Sequence, residues 1–203
     1  QFRNSSDRFL TNFDAIEFKL TRNFRSYSSI INFSKHLRPV SINDDVICTK
    51  GDNDCKPLML FYESDKILEA NIVEILKRAK DHGINMKDFA ILAPTRGRMR
   101  SGGNSHGLCF VSNLLYKAQI KFKQFYEESV DDITSGESVA YEPDDDCVNV
   151  LTFMGSKGLE WKYVIIIDAD SCLINKRYFT EDKHSHDRYL LYVACSRAID
   201  NMY

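Results

Sequence analysis

The sequence predicts an α/β domain, a mostly parallel sheet with helices on both faces. Two observations carry this reading. Residues 148–153 and 163–169 are runs of Val, Ile and Leu with little polar alternation, which suits strands covered on both sides. Elsewhere, β-rich runs alternate with amphipathic helical stretches, an order that favours parallel strands joined by crossover helices. In sheets of this kind ligands bind beyond the carboxyl ends of the strands.

In chain order, a short strand is expected over 17–20, followed by Asn23-Phe24-Arg25-Ser26. A helix is expected over 27–37, with Ile30, Ile31, Phe33 and Leu37 on its apolar face and a stop at Arg38-Pro39. Residues 41–56 read as a polar loop and 57–63 (PLMLFYE) as a strand. The stretch 65–82 repeats apolar residues at helical spacing and ends before Gly83. Residues 88–93 (DFAILA) read as a strand, 106–120 as a helix, and 122–126 as another short strand. An acidic segment, 127–146, leads into the two central strands, and 184–200 reads as a final helix.

Composition narrows the function classes. With 203 residues the chain is long enough for a proper core, and 43% apolar with 28% charged residues is the balance of a globular protein. A formal charge of −2 excludes a general polycation, so any nucleic-acid contact must come from local patches. The six cysteines form no CxxC pair and no zinc spacing, and read as reduced thiols of an intracellular protein, cytoplasmic or nuclear. No stretch approaches the ~20 apolar residues of a membrane span, and no signal peptide opens the chain. Both ends look cut, so a fragment of a longer chain is expected.

Between the two central strands lies Gly155-Ser156-Lys157-Gly158-Leu159-Glu160-Trp161. Two glycines, a hydroxyl, a lysine and an acid after a buried strand suit a loop that touches phosphate or ribose, although short motifs of this kind more often mark an ordinary surface turn. Arg25 and Arg197 offer planar forks for phosphate, or plain surface charge. Phe24 could stack on a base. No G-x-x-x-x-G-K-S/T loop is present, nor an ordered Ser-His-Asp set or a His/Cys metal cluster. The run 144–146 of three aspartates reads as solvated.

Taken in order, several segments resemble the second RecA-like domain (2A) of the UvrD/Rep-type superfamily 1 DNA helicases. Asn23-Phe24-Arg25-Ser26 looks like motif IV, usually N-Y-R-S. Residues 152–161, TFMGSKGLEW, look like motif V, usually T-x-H-x-x-K-G-L-E-F/W. Residues 192–198, YVACSRA, look like motif VI, usually Y-V-x-x-T-R-A. Residues 88–96 are similar to the family's I-A-V-L-Y-R strand, and Phe2-Arg3 to the tail of motif III. Met154 stands where His is usual, and Ser196 where Thr is usual.

The resemblance implies a RecA-like fold over residues 1–203, with the family's 2B insertion absent or reduced to 121–147. It implies the C-terminal motor half of an ATP-dependent DNA helicase that translocates on single-stranded DNA and unwinds duplex. A non-catalytic RecA-like binding or scaffold module is the alternative. Arg25 and Arg197 would be the catalytic arginines at the γ-phosphate of ATP. Phe24 would stack on adenine, and Gly158 and Glu160 would lie at the nucleotide, Glu160 near the ribose. Phe2, Arg3, Arg96 and Thr152 would contact DNA at single strands and junctions. ATP and Mg²⁺ would be held mainly by a separate 1A domain with the Walker motifs, so this chain alone is expected to be inactive. The unusual sequence between the motifs suggests a divergent member, from a virus or a mobile element.

Overall fold

The computed structural model describes residues 21–37, 46–97, 107–125, 144–170 and 181–203, with side chains of the last helix from 187 onward. A two-residue parallel ladder joins β1 (Arg22–Asn23) to β2 (Ile47–Cys48). The main sheet contains β3 (Phe89–Ala93), β4 (Phe122–Gln124), β5 (Val148–Thr152), β6 (Trp161–Ile166) and β7 (Ala198–Met202). Its order is β4-β5-β3-β6-β7, and every pairing is parallel. The helices are α1 (Ser28–Lys35), α2 (Asp65–Asp81), α3 (Gly107–Lys117) and α4 (Glu181–Cys195). The α/β fold class read from the sequence therefore holds, as a five-stranded parallel sheet with helices on both faces.

β3 is the middle strand, and its five residues are all buried. Because side chains alternate along a strand, β3 divides between two cores. Phe89, Ile91 and Ala93 pack with Leu68, Ile72 and Leu76 of α2 and Leu108, Val111 and Leu115 of α3. Ala90 and Leu92 pack on the other face with Ile30 of α1 and Leu191, Ala194 and Cys195 of α4. Burial on both faces is why this strand is apolar throughout rather than alternating. Asn149 is the polar exception in β5. Its Nδ2 donates to the carbonyls of Lys87 and Phe89 at 2.8 and 2.9 Å, so the buried amide is satisfied and ties β5 to the start of β3.

Two expectations need correction. Residues 57–63 are not a strand: Leu58 donates one backbone bond to Met202 of β7, and the apolar side chains 58–61 are exposed. The run has strand composition but lies outside the last strand, starting at a proline that lacks an N–H. The final helix does not reach residue 200. It ends at Cys195, and residues 198–202 form β7 beside β6. In the sheet β3 lies between β5 and β6. The expected strand over 17–20 lies outside the described residues. Within the segment read as a loop, β2 pairs with β1, while residues 144–146 are exposed, with Asp145 paired to Lys87 and Asp146 to Lys121.

Candidate functional site

All five strands run the same way, so the residues that precede β6 and β7 share the amino edge of the sheet. Those residues are Glu160 and Arg197, and the Trp161 N–H donates to the Arg197 carbonyl at 3.0 Å. Arg25 reaches the same edge from the link between β1 and α1. That link is docked on β7: Ser26 Oγ donates to the Ala198 carbonyl at 2.6 Å, and the Tyr27 N–H to the Ile199 carbonyl at 3.2 Å. Asn23 shapes the turn, its Oδ1 accepting the N–H groups of Arg25 and Ser26 at 2.9 and 3.0 Å. An Asn side chain in this position replaces a backbone acceptor and so fixes a tight turn.

The two guanidiniums are held differently. Arg25 Nε lies 2.5 Å from Glu160 Oε2, with side chains 37% and 49% exposed, and its Nη1 donates to the Ser196 carbonyl at 3.4 Å. Arg197 Nε donates to the Val193 carbonyl at 3.0 Å, Nη1 to the Leu159 carbonyl at 3.2 Å, and Nη2 to Ser196 Oγ at 2.9 Å. A guanidinium has five N–H groups. Three of those on Arg197 are used among the described residues, which leaves one on each terminal nitrogen. Burial lowers the pKa of Arg197, and the nearby Arg25 charge lowers it further, while Tyr192 and Glu160 act in the opposite sense. Arginine remains charged under such shifts. The cluster thus sets two cations against one carboxylate in a partly desolvated place, which favours an added anion. Phe24, just before Arg25, is 72% exposed and presents a ring to solvent.

The remaining expected residues divide between the two edges. Thr152 ends β5 and pairs in register with Ala93 of β3, and Arg96 follows β3, so both lie at the carboxyl edge. Thr152 Oγ1 accepts the Gly155 N–H at 2.9 Å, as a helix cap does. Residues 153–160 then return the chain from the carboxyl edge to the amino edge. Ser156 is buried on this return, with its Oγ donating to the Phe153 carbonyl at 2.7 Å. Gly158 has φ +89°, a left-handed conformation that turns the chain toward Glu160. Arg25, Glu160 and Arg197 thus meet at the amino edge, and Thr152 and Arg96 lie at the carboxyl edge, where ligands of such sheets were expected to bind. In a parallel sheet every connection crosses to the other edge, so motif residues close in sequence separate. Phe2 and Arg3 lie outside the described residues. Ser196, which contacts both arginines, was missed as a site residue. Its hydroxyl was visible in the sequence, but the carbonyl contacts of Leu159, Val193 and Ser196 carry no sequence signal.

This arrangement can be set beside known proteins. Residues 110–203 match the UvrD-like helicase C-terminal domain. The resemblance read from the motifs is borne out over this stretch, which holds Gly158, Glu160 and Arg197. Over its whole length the chain is 35% identical to a protein of Acanthamoeba polyphaga mimivirus named "Putative ATP-dependent DNA helicase", and spans 28% of that protein's length. The C-terminal domain of a possible DNA helicase from Lactobacillus plantarum WCFS1 aligns with 89% of this chain and 84% of its own, at 21% identity and a TM-score of 0.48. Arg25 precedes the stretch matched to the UvrD-like helicase C-terminal domain. Its ion pair with Glu160 is what places it at the same site.

Proposed function

We propose that this chain is the C-terminal motor half of an ATP-dependent DNA helicase, in which ATP hydrolysis drives translocation on single-stranded DNA and duplex unwinding. The meeting of Arg25, Glu160 and Arg197 at one edge is the observation that carries the reading. Phosphoryl transfer spreads negative charge over the γ-phosphate oxygens, and two guanidiniums with unused N–H groups are suited to receive it. A partner domain of the 1A kind would hold the phosphates and Mg²⁺, and ATP would lie between the two domains. Phe24, exposed beside Arg25, would stack on the adenine, with Gly158 shaping the wall. Thr152 and Arg96 would contact a DNA strand at the opposite edge; the Thr152 hydroxyl accepts from Gly155 and keeps its own proton to donate. Phe2 and Arg3 would extend that contact.

The connection 153–160 gives this reading a mechanical route, since it begins at Thr152 on the DNA edge and ends at Glu160 on the nucleotide edge. A shift at either end is passed along eight residues anchored by buried Phe153 and Ser156. In the full-length protein, Arg25→Ala and Arg197→Ala are each expected to cut DNA-stimulated ATPase turnover by roughly 10³-fold. Single-strand binding without nucleotide should stay near that of the parent, because neither arginine is on the DNA edge. Steady-state turnover and strand titrations on the same preparations decide it. Near-parental turnover in both variants would leave the non-catalytic scaffold reading in its place.

A further inference from the structure

We infer that Ser196 is a positioning residue for both site arginines, an inference that rests on the helicase reading above. Among the described residues, Ser196 is the one that bonds to both. Its carbonyl accepts from Arg25 Nη1, and its hydroxyl accepts from Arg197 Nη2. The hydroxyl proton is committed elsewhere, donated to the Val193 carbonyl at 2.8 Å. That commitment fixes the rotor, so the lone pairs of Oγ stay turned toward Arg197. The Val193 carbonyl also accepts from Arg197 Nε. Ser196, Val193 and Arg197 therefore form a closed knot just past the end of α4. A guanidinium bonded through Nε, Nη1 and Nη2 is held against rotation about its long side chain, so its remaining N–H groups keep fixed directions. Holding a fork in place before the reaction is what makes it effective at the transition state.

A hydroxyl that merely caps the helix would affect stability alone. A positioning hydroxyl affects turnover through Arg197. The test uses the full-length protein and four variants: Ser196→Ala, Ser196→Thr, Arg197→Ala and Ser196→Ala with Arg197→Ala. Loss of one hydrogen bond to a charged group corresponds to about tenfold or more. Ser196→Ala is expected to lower kcat of the DNA-stimulated ATPase by about that factor, with KM for ATP and single-strand affinity nearly unchanged. Ser196→Thr, which keeps the hydroxyl, should restore turnover. In the double variant the serine change should add nothing to the loss from Arg197→Ala. The inference is overturned if Ser196→Ala keeps parental kcat while Arg197→Ala loses activity, or if Ser196→Ala multiplies the loss of Arg197→Ala. It is also overturned if Thr fails to rescue an Ala variant that melts at the parental temperature. Parental turnover in Arg197→Ala would instead mean that the helicase reading itself has failed.

Discussion

Two glycines show how residue-scale geometry decides the size of an effect. Gly107 opens α3 with φ +58°, and a Cβ there would overlap the Thr95 carbonyl oxygen and stand 2.9 Å from Thr95 Oγ1. The close approach exists because Leu108 and Cys109 donate their N–H groups to the carbonyls of Thr95 and Arg96, which satisfies the start of the helix. Gly158 has a similar positive φ, but an added Cβ meets nothing within 4 Å. Gly107→Ala thus combines backbone strain with a clash against fixed backbone and is expected to cost about 3 kcal/mol or more. Gly158→Ala faces strain alone and should cost about 1 kcal/mol. Urea midpoints of the two variants check the ranking; equal midpoints would mean that the Thr95 loop yields freely. The same scale shows what a motif can reveal. Arg25, Glu160 and Arg197 could be picked out because their residue types sit in recognisable strings. That Glu160 pairs with Arg25 rather than Arg197 could not, because the partner depends on how the link after β1 docks on β7.

Among the elements, those buried on both faces were the legible ones. β3 is apolar throughout and β5 and β6 mostly so because helices cover each side, and α2 and α3 show clear apolar stripes for the same reason. Elements at the rim were not legible. β7 reads Ala-Ile-Asp-Asn-Met, with two polar residues, and follows α4 after two residues, so the helical pattern ran on through it. The β1–β2 ladder is two residues long and has no periodicity to detect. The opposite error occurred over 57–63, where composition suggested a strand but only one ladder bond forms. Leu92→Ala, at a fully buried position of β3, is expected to cost about 2–5 kcal/mol. Leu58→Ala, half exposed outside β7, should stay within about 0.5 kcal/mol. Chemical denaturation of both variants measures the contrast. A large loss at Leu58 would mean that the 57–63 run is packed into the sheet after all.

At the scale of the whole molecule, the parallel sheet separates the two groups of residues proposed to meet nucleotide and DNA. The arginine cluster occupies the amino edge beside β6 and β7, while Thr152 and Arg96 stand at the carboxyl edge. That Arg197 stands at the amino edge was not legible, because residues 198–202 read as the end of a helix rather than as β7. The central claim is that Arg25 and Arg197 act together on one nucleotide. Proximity supports it, since both touch Ser196, and the Arg25 charge adds to the burial that lowers the Arg197 pKa. A double-mutant cycle on ATPase turnover tests it most directly, using Arg25→Ala, Arg197→Ala and the double variant of the full-length protein. Two arginines sharing one γ-phosphate should be strongly coupled, so the double variant should lose far less than the product of the single losses. Single losses that multiply without coupling would place the two arginines at independent tasks and contradict the account.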